Sequence, residues 1–426
     1  MEHTGPTVMD SADAPGGPAG LARAIDRALP ELVALRHHLH MHPEVAYCEH
    51  GTCAVIAQGL ERLGVAHTTG WAGGTGVVAV IPATGDHAGN GRGDIDGRRA
   101  VALRADIDAL PITERTGLPY ASVHAGRMHA CGHDGHTAIL MGAARVLAAW
   151  PSRPRPVVLV FQPAEEGGGG ADRMCREGLL DGARTGVAVG CAYGLHGWPD
   201  LPLGHLGTRP GPLLAATDEF EVTLHGVQCH AAYPQRGADP VLAAAQCISA
   251  AQSIASRTVG PLDSVVVSVT QVRAGTASNV IPDRAHFSGT LRTLKTQTRA
   301  TVKRRFDELV RGVAGAMGCR AEIAWHDGYP VTHNDPALTE RFFAAAARLV
   351  GPERVHRIEH PTMGGEDFSY YAQRVPAVFY CLGLRQQAQS PGPSLHQAEF
   401  DFADAAIPLG VEMMVRLALE PAEPGP

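Results

Sequence analysis

From Gly76 to Pro199 the chain alternates short β-branched runs with a long apolar helix and Gly-rich turns, and this alternation restricts the fold more than any other feature. "GVVAVIPA" and "RAVALRADI" read as strands, "HTAILMGAARVLAAW" as a helix, "RPVVLVFQPAEEGGGG" as a buried strand entering a Gly-rich loop, and "TGVAVGCAYGLHGWP" as a further strand. Such a succession predicts an α/β sheet with helices on its faces. The stretch "TGDHAGNGRGDIDGR" between the first two strands reads as a surface loop. Ahead of them, Ile25, Leu29, Leu32, Leu35 and Leu39 have the spacing of an amphipathic helix. His37, His38, His40 and His42 crowd its end and read as a solvated terminus, where imidazole suits the helix dipole.

The texture changes near Gly211. "TDEFEVTLHG" and "SVVVSVTQVRAG" alternate as half-exposed strands do, "ADPVLAAAQCISAAQSIAS" and "TRATVKRRFDELVRGVAGAMG" are amphipathic helices, and "RAEIAWHDGYP" closes the region as a strand. The α/β pattern then resumes through "PAVFYCLG" to a last helix, "FADAAIPLGVEMMVRLAL". A chain of 426 residues exceeds what one core sustains, so two domains are expected. The boundaries read as a flexible start (1–20), a first domain in two parts (21–210 and 329–420), and an inserted smaller α+β domain (211–328).

With 45% apolar and 19% charged residues this is the composition of an ordinary globular protein. A formal charge of −7 offers no basic face for phosphates or anionic lipid, which excludes nucleic acid and membrane as expected partners. The acidic, Gly/Pro-rich start has no secretory pattern and no apolar run reaches membrane-spanning length, so a cytoplasmic protein is expected. Nine cysteines, an odd number without an export signal, do not read as a disulfide framework.

The chemistry concentrates in "HACGHDGHTA". Cys131 and His133 open the long helix, Asp106 ends one strand, Glu165 and Glu166 follow another, and His196 follows a third. In an open α/β sheet ligands gather beyond the carboxyl ends of strands, so residues distant in sequence can converge there. Thiolate, imidazole and carboxylate together suit a borderline divalent ion such as Zn²⁺, with Mn²⁺ possible where oxygens contribute. Two other readings stay open at this point: an activated Cys131 nucleophile with His133 or His136 as base, and a plain helix start. The adjacent pair Glu165-Glu166 can divide its work, one carboxylate on a metal and the other free to carry a proton.

"ALRADIDALPI", "HACGHDGHTA", "FQPAEEGGGGA", "GLHGWP", "ASNVIPD", "GTLRT", "GGEDFSYY" and "SLHQAEFDF", in this order, resemble the amidohydrolase branch of the binuclear-metal aminoacylase and carboxypeptidase family, which holds hippurate and auxin-conjugate hydrolases. The resemblance implies a mixed-sheet α/β catalytic domain with helices on both faces and an inserted dimerisation or lid domain. It implies two divalent ions per subunit (Mn²⁺ or Zn²⁺, with Co²⁺ or Ni²⁺ able to substitute in vitro), bridged by Cys131, with His133, Glu166, His196 and His396 completing the ligands. Glu165 becomes the general base and Asp106 an orienting carboxylate; His230 reaches a partner subunit's site, and Asn279 and Arg292 bind substrate. The implied activity is hydrolysis of the amide of an N-acyl amino acid or small acylated conjugate, in a homodimer or higher homo-oligomer. A thiol amidase and a catalytically silent binding homologue are the alternatives. Cys229 stands where relatives carry glycine, and "GGEDF" replaces the usual "GSEDF".

Overall fold

In the computed structural model, which describes residues 17–84, 99–386 and 392–420, the chain separates into two compact units. One comprises the described residues up to Gly211 together with His333–Glu359 and those from Tyr370 onward; the other comprises Pro212–Thr332 and His360–Ser369. The loop expected between the first two strands lies largely outside the described residues.

The larger unit is built on strands β1 (His67–Trp71), β2 (Gly76–Ile81), β3 (Ala100–Asp106), β4 (Val157–Gln162) and β5 (Val189–Pro202). Their order in the sheet is β1-β2-β4-β3-β5, continued by Ala377–Arg385, Leu206–Thr208 and Val355–Arg357. Strand β3 runs parallel to both β4 and β5, and β5 parallel to Ala377–Arg385, whereas β1, β2 and β4 pair antiparallel, so the sheet is mixed. β3 and β4 are buried along their whole length, which is why their apolar runs are continuous rather than alternating.

Helices α1 (Pro18–Met41), α2 (His50–Arg62) and α3 (His133–Ala149), with Ile407–Leu419, pack on this sheet in one apolar core. α3 is buried nearly all round because elements flank it on every side. Gly142 lets them close in: a Cβ there would lie 2.6 Å from Val411 Cγ2 and 2.7 Å from Leu32 Cδ1. Leu140 and Leu147 are fully buried, each contributing about 1.5–3 kcal/mol. That burial fixes the start of α3, and with it Cys131 and His133.

α1 begins at Pro18, inside the start expected to be flexible. Its last turn is also not the solvated terminus expected. His40 is completely buried, bonded to Asp134 and Glu114, because Arg36 and His40 face the first turn of α3; His38 alone of the four is exposed.

The smaller unit has an antiparallel sheet in the order Val265–Ala274, Arg284–Thr293, Ala216–His225, Arg320–Asp327. Helices Pro240–Ser253 and Thr296–Ala316 supply Cys247, Val302, Phe306 and Val310 to a core with Phe220, Val222, Phe287 and Leu291. No unbroken alternation in the sequence announces the strand Arg284–Thr293. Its inward face runs Ala285, Phe287, Gly289, Leu291, and the glycine interrupts the apolar period. Gly289 is required there, since a Cβ would lie 1.9 Å from the Ser268 carbonyl oxygen. None of the nine cysteines is in a disulfide, and among the described residues no helix is long and apolar enough to cross a membrane.

Candidate metal centre

The carboxyl ends of β3 and β4 and the start of α3 bring the ligand-type side chains together. Cys131 Sγ lies 3.3 Å from His196 Nε2, and Glu166 Oε1 lies 3.1 Å from His396 Nε2. Two triads result, Cys131–His133–His196 and Cys131–Glu166–His396, each with its ligand atoms within 4.8 Å of one another, and Cys131 belongs to both. A third group joins His133 to Glu165 and Glu166. His196 was expected beyond a strand end but stands inside β5. β5 continues past the point where β3 stops because Ala377–Arg385 pairs alongside it, with Cys381 opposite His196.

Each imidazole is oriented by a neighbour. His196 Nδ1 donates to the Gly197 carbonyl at 2.8 Å, which leaves the Nε2 lone pair toward Cys131. His133 Nδ1 donates to the Asp108 carbonyl at 2.8 Å, and its Nε2 is buried without a hydrogen-bond partner. The Gly197 amide donates to His136 Nε2 at 2.8 Å, so His136 carries its proton on Nδ1 and donates it to Asp106 Oδ1 at 2.6 Å. His136 therefore supports the site from beneath Asp106. His396 adopts a left-handed backbone (φ 64°), and its amide donates to the Ala130 carbonyl at 2.8 Å, beside Cys131.

The electrostatics call for positive charge. Burial opposes protonation of His133, but Asp106, Asp108 and Glu166 outweigh it and lift the imidazole to about 10. Burial, with Glu166, Glu165 and Asp106 adding to it, pushes the Cys131 thiol well above its ordinary value. His196, desolvated and beside His136, is pushed down to about 3 and stays neutral. Despite complete burial, Asp106 is held well below the usual carboxylate range by Arg104, whose Nη1 lies 2.7 Å from Oδ2, and by His133 and His136. A thiol, three imidazoles and a carboxylate in acid-rich surroundings, with His133 Nε2 making no hydrogen bond and only a 3.6 Å approach to Asp106 Oδ2, fit divalent cations of borderline softness.

Asp108 was not singled out in the sequence, yet it touches two of the candidate ligands. It accepts the Glu166 amide on Oδ2 at 2.9 Å while its Oδ1 lies 3.3 Å from His133 Nδ1. The signal available was its spacing: two residues after Asp106 at a strand end, both carboxylates reach the same side. Trp198 sets its ring edge-on to His196, 5.9 Å between centroids.

His230, Asn279 and Arg292 belong to the smaller unit. His230 is exposed, on a short strand paired with Val280 and Ile281, and its Nδ1 accepts the Ala232 amide at 3.0 Å, leaving Nε2 outward. The Asn279 carbonyl accepts the Ala231 amide at 3.0 Å, so these two residues sit together. Arg292 is half-buried on Arg284–Thr293, opposite Thr217 and Val266. Cys229 packs against Gly237, where a Cβ would come within 2.6 Å of its sulfur.

The sequence profile described as peptidase family M20/M25/M40 matches residues 102–420, about three-quarters of the chain. The chain belongs to this family. As an M20-family protein it is a hydrolase acting on amides. It is 41% identical over 358 residues to an N-acetyl-L-cysteine deacetylase of Bacillus subtilis, covering 83% of this chain and 80% of that protein. It is 36% identical over 392 residues to the IAA-amino acid hydrolase ILR1-like 4 of Arabidopsis thaliana, covering 91% and 84%. Among solved structures it resembles the YXEP protein of Bacillus subtilis, a dinuclear metal-binding peptidase of the M20 family, with a TM-score of 0.78 and 34% identity over 92% of this chain and 98% of that one.

Proposed function

We propose that this M20-family hydrolase removes the acyl group from N-acyl amino acids or similar small acylated conjugates, using two divalent ions. The observation that carries the reading is the sharing of Cys131 between two ligand triads, with Glu165 left beside the ligand Glu166. One ion would be held by His133 and His196, the other by Glu166 and His396, with the Cys131 thiolate common to both. Bound there, the ions supply Lewis acidity toward the amide carbonyl and toward a water. Glu165 takes the proton of the attacking water and delivers it to the leaving amine. Asp106 and Asp108 hold His136, His133 and Glu166 in place. His230, supplied by a second copy of the chain, steadies the oxyanion, and Asn279 and Arg292 hold the substrate's carboxylate, which suits a guanidinium fork. The names of the deacetylase and of the IAA-amino acid hydrolase point to the same class of substrate.

The thiol-amidase reading is disfavoured by the surroundings of Cys131. A nucleophilic thiol needs its pKa lowered, whereas burial and three carboxylates raise this one. The test is hydrolysis of a panel of N-acyl amino acids, read by mass spectrometry, with metal-loaded protein, chelated protein and Glu165→Ala. Loaded protein is expected to release free amino acid, chelation to abolish release, and Glu165→Ala to lower turnover by about 10²–10⁴-fold. Full activity after chelation would return Cys131 to the role of nucleophile.

A further inference from the structure

We infer that Glu49 is a positioning residue for Glu165, acting through the backbone of Ala164; this rests on Glu165 being the general base. Ala164 has a left-handed backbone (φ 56°), which is strained for an L-residue and persists only where its surroundings impose it. The turn is crowded on the inside: a Cβ at Gly168 would lie 2.6 Å from Ala164 Cβ, and one at Gly170 would lie 1.8 Å from the Pro163 carbonyl oxygen. From outside, two contacts grip it. Glu49 Oε1 accepts the Ala164 amide at 2.9 Å, and the Tyr47 hydroxyl donates to the Gly168 carbonyl at 2.6 Å.

Glu49 is set apart from an ordinary helix cap. It precedes α2, but Glu44 takes the capping work, accepting the Gly51 and Thr52 amides at 3.0 and 2.8 Å. Glu49 makes no side-chain bond to the helix and reaches across to Ala164 instead. It is completely buried, with no ion pair among the described residues, and burial pushes its carboxyl up. A buried carboxyl without a cation is costly, and an apolar residue would fill the space at lower cost. Besides the Thr75 side chain, what this carboxyl holds is the Ala164 amide, next to the carboxylate that moves the proton.

The experiment compares Glu49→Ala, Glu49→Asp and Glu49→Gln with wild type and with Glu165→Ala, all metal-loaded, measuring kcat, KM, bound metal and melting temperature. Glu49→Ala and Glu49→Asp, which lack the acceptor or its reach, are expected to lose about 10- to 100-fold in kcat with KM and metal content unchanged. Glu49→Gln, whose amide oxygen still accepts, is expected to retain most of it. Wild-type kcat in Glu49→Asp would overturn the inference. So would a Gln variant as poor as Asp, or losses accompanied by metal release. If Glu49→Ala does not fold, the Asp and Gln variants decide. An active Glu165→Ala would instead overturn the general-base assignment, which is a separate failure.

Discussion

Two charged clusters meet at the first turn of α3, on the neighbouring residues Asp134 and His133, and they are completed in opposite ways. The Asp134 cluster closes on itself. Arg36 Nε lies 2.8 Å from Asp134 Oδ2 and also pairs with Asp401 and Asp404, while His40 joins Asp134 at 2.8 Å to Glu114 at 3.3 Å. Each charged group there has its opposite within the chain. The His133 cluster gathers a thiol and carboxylates around an imidazole whose Nε2 has no hydrogen-bond partner. Both are buried and rich in histidine and acid, so residue type does not separate them. What separates them is whether the countercharge is covalently part of the protein.

That contrast is sharpest in Arg36→Met. It removes the cation shared by Asp134, Asp401 and Asp404 and leaves buried Asp134 with His40 alone, and unfolding free energy is expected to fall by about 3–5 kcal/mol, read from denaturant curves on chelated protein. A loss below 1 kcal/mol would mean that the closed cluster is not self-neutralising. The second effect is one of pH. Burial disfavours protonation of His40, but the bonds to Asp134 and Glu114 outweigh it and lift the group from an ordinary 6.5 to about 9. A raised pKa stabilises the fold fully below pH 6.5 and is lost as pH rises through about 9. Between those limits wild type is expected to lose about 2–3 kcal/mol more than His40→Gln does. Parallel stability profiles would break the assignment. The smallest effect belongs to the open cluster: Asp108→Asn should weaken metal binding by about 10- to 100-fold, measured by competition with a chelator, with little change in apo-protein stability. The reverse pattern would make Asp108 a structural residue.

The same contrast explains what could be read in advance. The α/β class was visible because buried strands and the long apolar helix each carry their own period. Cys131, His133, Glu166 and His196 stand out as ligand-type residues at strand ends and a helix start, whereas His396 is named through a motif alone, since no local rule joins residue 196 to 396. The burial of His40 is not legible on its own helix because it depends on packing against Asp134 of α3, 94 residues further along the chain. Asp108, Glu49 and Tyr47 escaped for a related reason: their partners are Glu166, Ala164 and Gly168, more than fifty residues off. The strand Arg284–Thr293 was hidden by a glycine that the neighbouring backbone demands.

The position of His396 bears on how the protein is made. Cys131, His133, Glu166 and His196 are all synthesised before the smaller unit begins at Pro212, whereas His396 emerges only after that unit is complete. Because Ala377–Arg385 holds the stretch of β5 that carries His196, and Ile407–Leu419 packs on α3, neither triad is fixed until the C-terminal part of the chain has been made. The ligand set would then close last at His396, when the C-terminal segment docks its amide on Ala130 and places its imidazole beside Glu166. Translation itself would then time when the enzyme becomes active.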